Sequence, residues 1–306
     1  MHTAITVDAL KVLDAIERRG SFAGAASELF RVPSAISYTI QKLEEDLGVE
    51  IFDRSGHRAT LTPAGRYLLK EGRALLEATE ALAHTTRQVA QGWETRLKIG
   101  FNSLLPAEVM FPAIRQFYEL GIPVEVQLVE EVFAGTWDAL QSRRVDLAVG
   151  ADQISRPAGS FSTRKLGKVV WAFAVSPDHP LTRCDHLLTE QDIARYPAAV
   201  AADSSRRLPA GSAGIFRRQQ TLTVSGMAQK IALQEAGLGV GWLPRHRIRH
   251  QLEKGQLVEL GVDTPREPMA VHLARHSEDQ GKALLWFWER LSQPELFQDW
   301  LDIEDA

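Results

Sequence analysis

The stretch from Gly20 to Gly65, GSFAGAASELFRVPSAISYTIQKLEEDLGVEIFDRSGHRATLTPAG, decides the reading of the whole chain. Gly20 is suited to ending one helix in a left-handed conformation, and Ser21 offers its hydroxyl to the first free amides of the next. Phe22, Ala25, Ala26 and Leu29 then recur at i, i+3, i+4 and i+7, which makes one face of a short helix apolar. After Arg31, Val32 and Pro33, Ser34 is placed to cap a third helix, in which Ile36, Ile40, Leu43 and Leu47 hold helical spacing and point inward. The opposite face carries Ser34, Ser37, Tyr38 and Gln41, whose hydrogen-bonding groups are of the kind that reach base edges from a helix in the major groove. Gly48 closes that helix. Ile51 and Phe52 lead into Asp53, Arg54, Ser55, Gly56, His57 and Arg58, a polar turn flanked by cations that suits a wing along a phosphate backbone.

Charge is distributed unevenly here. The carboxylates of the first 66 residues roughly cancel the cations, but between positions 54 and 73 Arg54, Arg58, Arg66, Lys70 and Arg73 face only Glu71. Local clustering matters more than the total. From the residues alone, two readings stand, a DNA-binding unit and an interaction-only helical domain, and the basic cluster favours the first. Asp53 is placed to hold Arg54 in a structural pair, which leaves Arg58 as the freer phosphate contact. The expected DNA-contacting set is Arg31, Pro33, Ser34, Ser37, Tyr38, Gln41, Arg54, His57 and Arg58.

The order of an Ala25-Ala26 helix, a turn, Ser34-Ala35-Ile36-Ser37, Leu43-Glu44-Glu45-Asp46-Leu47-Gly48, Phe52-Asp53-Arg54 and Leu61-Thr62-Pro63-Ala64-Gly65 strongly resembles the winged helix-turn-helix of LysR-type transcriptional regulators. The resemblance extends over the chain and implies a long linker helix and a two-lobed sensor domain. Two departures stand out. Many members carry Thr-Gln-Pro before the recognition helix where this chain has Val32-Pro33-Ser34, and an Arg after the helix serine where it has Tyr38. The resemblance therefore implies an operator half-site different from that of better-known relatives.

Thr62 followed by Pro63 is a cap and a first-turn proline, and no further proline occurs until Pro106, so a long helix is expected. Leu61, Leu68, Leu75, Leu82 and Val89 repeat every seven residues, with Leu69, Leu76, Ala83 and Ala90 beside them. Such a stripe forms a coiled-coil-like seam, or it is buried on the helix's own domain; its persistence over several heptads favours self-association. A dimer would present two reading helices at fixed separation.

Beyond Gln91-Gly92-Trp93 the period changes. Leu97, Ile99 and Phe101 alternate as a strand, Pro106 to Leu120 reads as a helix, and Val124 to Val129 as a strand. Trp137 to Ser142 is a further helix and Val145 to Gly150 a buried strand. Alternating strands and helices imply a largely parallel sheet. From Gly150 to Arg164 periodicity is lost, as expected of a crossing into a second lobe. There Val169 to Val175, Ala198 to Ala202 and Gly239 to Leu243 are strand candidates, with a helix at Met227 to Ala236. Near Pro265 to Pro268 the chain is expected to return, with a strand at Met269 to Ala274 and a closing helix at Lys282 to Ser292.

The expected fold class is therefore α/β with an N-terminal, α-rich winged helix-turn-helix, residues 1–62, a linker or dimerisation helix, 63–92, and an effector-binding domain, 93–306. Lobe I would take about 93–160 and 268–306, and lobe II about 161–267. Two α/β lobes joined by two crossings resemble the periplasmic-binding-protein architecture of the LysR sensor domain, where helix N-termini and strand ends receive small, often anionic ligands. The positions matching the family's cleft are Asn102, Ser103, Phe133, Gly135, Asp203, Ser204 and Ser225. Each residue type serves equally as a helix cap or turn residue. Arg206 and Arg207 are cations beside this set, of a kind usually solvated.

Other chemistry is weakly supported. His246 and His250, and again His272 and His276, are four apart, a spacing that on a helix joins two imidazoles for a metal, but no acidic general base lies between them. Gly237, Gly239 and Gly241 follow a helix and lead into a strand, the reverse of a dinucleotide fingerprint. Residues 211–214 lack the strand and spacing of a nucleophile elbow. Cys184 is the single cysteine, so no internal disulfide forms. A hydrophobic share of 44% and a net charge of -4 fit a globular chain with a small DNA-binding part on an acidic remainder. No secretion signal or membrane span is evident, so the expected compartment is the bacterial cytoplasm.

The expectation is a non-enzymatic regulator without cofactor or metal, which binds a double-stranded DNA operator and a small-molecule effector. It would form a homodimer or homotetramer and engage RNA polymerase. A solute-binding protein or an enzyme on the same two-lobed fold is the alternative.

Overall fold

Three short helices, α1 (Val7–Arg19), α2 (Phe22–Glu28) and α3 (Pro33–Leu47), precede a hairpin of β1 (Phe52–Asp53) and β2 (Thr60–Leu61) and a long helix, α4 (Pro63–Ala90). The computed structural model describes residues 5–55, 59–209 and 214–303, and the chain divides into two units, Met1–Gln91 and Gly92–Ala306. His57 and Arg58 of the expected wing lie outside the described residues.

Helix boundaries follow the cap chemistry with one exception. Thr6 accepts the Ala9 amide at 3.1 Å, and Ser21 the Gly24 amide at 3.0 Å. Gly20 and Gly48 take left-handed φ of 66° and 67°, which closes α1 and α3 at low steric cost. Ser34 is not the cap of α3. The helix starts two residues earlier than a Ser34 cap would place it, because Pro33 presets the helical φ and lacks the amide that a cap would satisfy; Val32 holds the cap position without a side-chain bond. Leu13, Ile16, Ala25, Ala26, Ile36, Ile40, Leu43 and Ile51 form the buried centre of this unit.

α4 is one helix of 28 residues, begun by Thr62, which accepts the Gly65 amide at 3.0 Å. At 1.5 Å per residue it is roughly 42 Å long. Its heptad stripe divides in two. Leu61 and Leu68 pack on the N-terminal core, whereas Leu75, Leu82 and Val89 are 54%, 67% and 54% exposed. Gly72 allows close approach to α1, since a Cβ there would lie 2.7 Å from Leu10.

The second unit contains β3 (Arg96–Asn102), α5 (Phe111–Glu119), β4 (Glu125–Glu131), α6 (Gly135–Gln141), β5 (Leu147–Asp152), β6 (Phe161–Val169) and β7 (Trp171–Val175). There follow α7 (Glu190–Ile193), β8 (Ala198–Ala201), β9 (Thr221–Val224), α8 (Met227–Glu235), β10 (Gly241–Pro244), α9 (Arg249–Glu253), β11 (Val258–Glu259), β12 (Met269–His276) and α10 (Lys282–Arg290). The first lobe is built on a sheet of order β4-β3-β5-β12-β6, in which β3 runs parallel to β4 and β5. The returning strand β12 is antiparallel to both neighbours, so the sheet is mixed rather than largely parallel. The second lobe holds β10-β7-β11 and the pair β8-β9, with an isolated bridge from Ala198 to Val240.

Two expectations change here. Phe161–Val169, expected beyond the crossing, is a strand of the first lobe paired with β12 from Met269 to His276. Its Arg164, Lys165 and Lys168 conceal the period of a strand with a half-solvated face. The crossing into the second lobe accordingly falls near Val170, ten residues later than the boundary drawn at 160. β9, hidden by its exposed Thr221, Leu222 and Thr223, was not foreseen at all.

Candidate functional site

The outward face of α3 is supported from below by the buried Ile36, Ile40 and Leu43. Ser34, Ser37, Tyr38 and Gln41 are all exposed, Tyr38 by 67%. Gln41 donates to Glu45 at 3.0 Å, and Lys42 pairs with Asp46 at 2.6 Å, so the flanking charges are tied along the helix. Arg31 forks onto both Asp8 oxygens at 2.9 and 2.7 Å, fixing the inter-helix turn to α1. The hydrogen bonds from Arg31 hold the Asp8 carboxyl below the usual range.

Arg54 is in a structural pair, but its partner is Glu44 at 3.0 Å and not Asp53, whose carboxylate instead accepts the Ser55 amide at 2.8 Å. Glu44 was missed as a positioning residue. Its other oxygen accepts the amides of Ile51 and Phe52 at 2.8 and 3.0 Å, which joins the end of α3 to the base of the wing. The signal was available in the sequence, since a carboxylate on the half-buried side of an amphipathic helix requires donors.

Seven positions were expected around the cleft, and the structure separates them into three groups. Asn102, Ser103 and Phe133 line one small enclosed cavity. Asn102 is buried and donates to Thr136 at 3.0 Å, while Phe133 holds a left-handed φ of 50° beside it. Gly135, Asp203 and Ser204 form a clamp between the lobes. Asp203 accepts the amides of Ala134 and Gly135 at 3.3 and 3.1 Å; Ser204 accepts the Val132 amide at 2.8 Å and donates to Glu131. A Cβ on Gly135 would collide with the Ser204 hydroxyl, which accounts for glycine at that position. Ser225 belongs to neither group. It is exposed, donates to Gln229 at 2.6 Å, and the cap of α8 is Gly226.

The clamp continues through buried charge. Arg144 joins Glu131 at 2.6 Å and Asp138 at 2.9 Å, and Asp138 accepts the amides of Arg207 and Leu208 at 2.9 and 3.1 Å. Burial alone would raise the Asp138 carboxyl, but the Arg144 bond and these amides outweigh it and leave it lowered. Arg206 and Arg207 thus contribute a backbone turn to the clamp, with exposed side chains.

The other residues of the cavity wall were not expected, among them Trp171, Lys230 and Arg266. Lys230 is buried and donates to the Trp242 carbonyl at 2.8 Å. Arg266 lies flat on the Trp171 indole, 3.6 Å from the ring centroid. The enclosed space is about 20 Å³, enough for about one water molecule.

The histidine pairs have other occupations. His246 bonds the Leu104 carbonyl at 2.8 Å and His276 the Leu140 carbonyl at 2.9 Å. His272 and His276 lie on a strand, where four residues span roughly 13 Å, so the helical premise of that pair does not hold. Among the described residues no group of three or more potential metal ligands occurs, and no helix is long and apolar enough to cross a membrane.

A helical DNA-reading unit joined to a two-lobed α/β unit with a polar cleft defines a ligand-controlled transcriptional regulator. The family model described as "Bacterial regulatory helix-turn-helix protein, lysR family" matches residues 7–66, and that described as "LysR substrate binding domain" matches residues 90–294. The chain belongs to the LysR family of transcriptional regulators. It is 37% identical over 294 residues to the probable HTH-type transcriptional regulator YhaJ of Escherichia coli (strain K12), covering 96% of this chain and 97% of that one. It is 35% identical over 293 residues to the HTH-type transcriptional regulator PunR of the same organism, covering 95% and 94%. The full-length LysG structure from Corynebacterium glutamicum shares the fold, with a TM-score of 0.54 at 22% identity over 97% of this chain and 99% of that chain.

Proposed function

We propose that two copies of the chain pair through the exposed half of α4 and present two α3 helices to the half-sites of one operator. The observation that carries this reading is the outward face of α3, where Ser34, Ser37, Tyr38 and Gln41 are exposed above a fully apolar base. Ser37 and Tyr38 contact base edges, Gln41 exchanges its Glu45 bond for a base, and Ser34 and the Pro33 turn approach the backbone. Arg31 and Arg54 act through their carboxylate pairs as positioning residues, and His57 and Arg58 meet phosphate. Leu75, Leu82 and Val89 supply the seam, because three large apolar residues at seven-residue spacing are half exposed or more.

In this reading residues 1–62 bind DNA, 63–92 form the linker, and 93–306 sense the effector. The effector enters at Asn102, Ser103 and Phe133, and Gly135, Asp203 and Ser204 hold the lobes closed around it. A ligand that binds one lobe arrangement better than another shifts the population between them, and with it the spacing of the α3 pairs. A tetramer through the sensor lobes, contact with RNA polymerase and a cytoplasmic location complete the proposal. The protein acts by binding and not by catalysis.

Gel-shift titration of the full-length chain on DNA from its own upstream region tests this. A discrete complex that resists excess unrelated DNA is expected. Binding of equal strength to both DNAs would contradict the reading.

A further inference from the structure

We propose that Phe30 is a specificity-determining residue for the operator, its ring contacting the 5-methyl group of a thymine in each half-site; this rests on the reading of the α3 face as the base-contacting surface. Phe30 lies in the turn between α2 and α3, just ahead of the Val32 cap. It is 97% exposed, the most exposed large apolar side chain among the described residues. Its φ is 52°, a left-handed value that a bulky side chain rarely adopts. The turn holds it there, since the Arg31 amide donates to the Ala26 carbonyl at 2.9 Å and the Arg31 guanidinium forks onto Asp8. Val32, beyond it, is itself 62% exposed.

An aromatic ring left in water forgoes the gain of burying it, and a left-handed φ adds steric cost at any residue but glycine. At 97% exposure the ring recovers next to nothing from the protein itself. Its place in the chain points to the partner that does repay it. The N-terminal end of a reading helix is the part that meets base edges, and Phe30 leads directly into the exposed Ser34, Ser37 and Tyr38 of that end. Continuity with this polar face favours DNA over a second protein. The hydroxyls there and the Gln41 amide match the donors and acceptors of the bases, but a thymine methyl has neither and is met by an apolar side chain. Cytosine lacks the methyl and presents an amine where thymine has O4, which an apolar ring would desolvate without giving it an acceptor. Phe30 therefore supplies the one kind of base contact that the hydrogen-bonding set on α3 lacks.

Deoxyuridine differs from thymidine by that methyl alone, so it isolates the contact. The full-length wild type selects its best site from random-sequence duplex; each thymine of that site is then replaced singly by deoxyuridine, and binding is titrated for wild type, Phe30→Gly and Phe30→Ala. Glycine suits the left-handed turn, so thermal unfolding of Phe30→Gly should equal or exceed that of wild type, which keeps the test valid should Phe30→Ala fold poorly. The expected result is that at least one replacement in each half weakens wild type roughly three- to fivefold, the worth of one buried methyl. Phe30→Gly and Phe30→Ala should bind the thymine site at least that much more weakly and no longer distinguish the two bases there. Deoxyuridine without effect on wild type at any position would overturn the proposal. An equal deoxyuridine penalty in wild type and Phe30→Gly would assign the methyl to another residue, and a loss in Phe30→Gly shared by unrelated DNA would make Phe30 a backbone contact; either overturns the proposal and leaves α3 as the reading face if Ser37→Ala or Tyr38→Ala still loses specific binding. No selected site, or one bound equally by wild type, Ser37→Ala, Tyr38→Ala and Phe30→Gly, would remove the α3 reading and this one with it.

Discussion

On α3, Ser37, Tyr38 and Gln41 stand in water while the charges around them are tied in pairs: Lys42 with Asp46, Arg54 with Glu44, Arg31 with Asp8. In the cleft the arrangement is reversed, since Lys230 is buried against the Trp242 carbonyl and Arg266 lies half-buried on Trp171, and neither meets a carboxylate among the described residues. The two regions prepare for different partners. DNA brings a regular array of phosphates and base edges, which a pre-shaped, exposed face meets with little desolvation. A small ligand brings few contacts, and each counts for more in a dry wall, where the Ser103 hydroxyl and the Trp171 N–H have no partner.

If the regions are separable in this way, the largest effect should come from breaking the element that pairs two reading faces. Asp at both Leu75 and Leu82 places like charges at the proposed seam, which separates the helices. Operator affinity should fall by on the order of 10²–10⁴, the advantage of two linked sites over one. Sedimentation should show a monomer with unchanged helical content. A double variant that still dimerises would move the interface away from α4.

Glu44→Ala comes next. It leaves the Ile51 and Phe52 amides without their acceptor and frees Arg54, so unfolding stability should drop by about 1–3 kcal/mol. DNA binding should weaken as well, because the wing loses its attachment to α3. Stability equal to wild type in thermal denaturation would show that water satisfies those amides.

In the cleft, Ser103→Ala removes a buried hydroxyl that has no partner, so it should leave folding and effector-free operator binding unchanged. Affinity for the effector should fall roughly three- to tenfold, the value of one hydrogen bond. Calorimetry with an effector that binds wild type measures this directly. Undiminished affinity would remove Ser103 from the ligand's contacts. Smallest is Arg58→Ala, expected to weaken all DNA sequences alike and to reduce the log-log salt slope by about 0.9 per monomer. Arg54→Ala should leave that slope closer to wild type, given the Glu44 pair.

The same comparison explains what was legible in the sequence. The reading unit is local: caps, period and turn lie within 46 consecutive residues, from Gly20 to Gly65, so nearly every element was foreseen. The cap of α3 was misplaced by two positions, at Ser34 instead of Val32, because Pro33 and a capping serine compete for the same helix start. The first-lobe strands with apolar alternation were legible, whereas β6 and β9, with charged or exposed faces, were not. The cleft was only partly legible. Asn102, Ser103 and Phe133 sit at element ends beside recognisable motifs, but Lys230 lies inside an amphipathic helix and Arg266 in an irregular segment. No spacing rule joins positions 230, 266 and 103; only the folded second unit does.

The central claim is that the outward face of α3 reads sequence. DNase footprinting of the full-length chain on its upstream DNA, compared with Ser37→Ala and Tyr38→Ala, tests it most directly. Wild type should protect a discrete site with two related halves, and each variant should lose about 1–3 kcal/mol of specific binding if its side chain contacts a base edge, with thermal unfolding unchanged. Identical footprints and affinities for wild type and both variants would contradict the account.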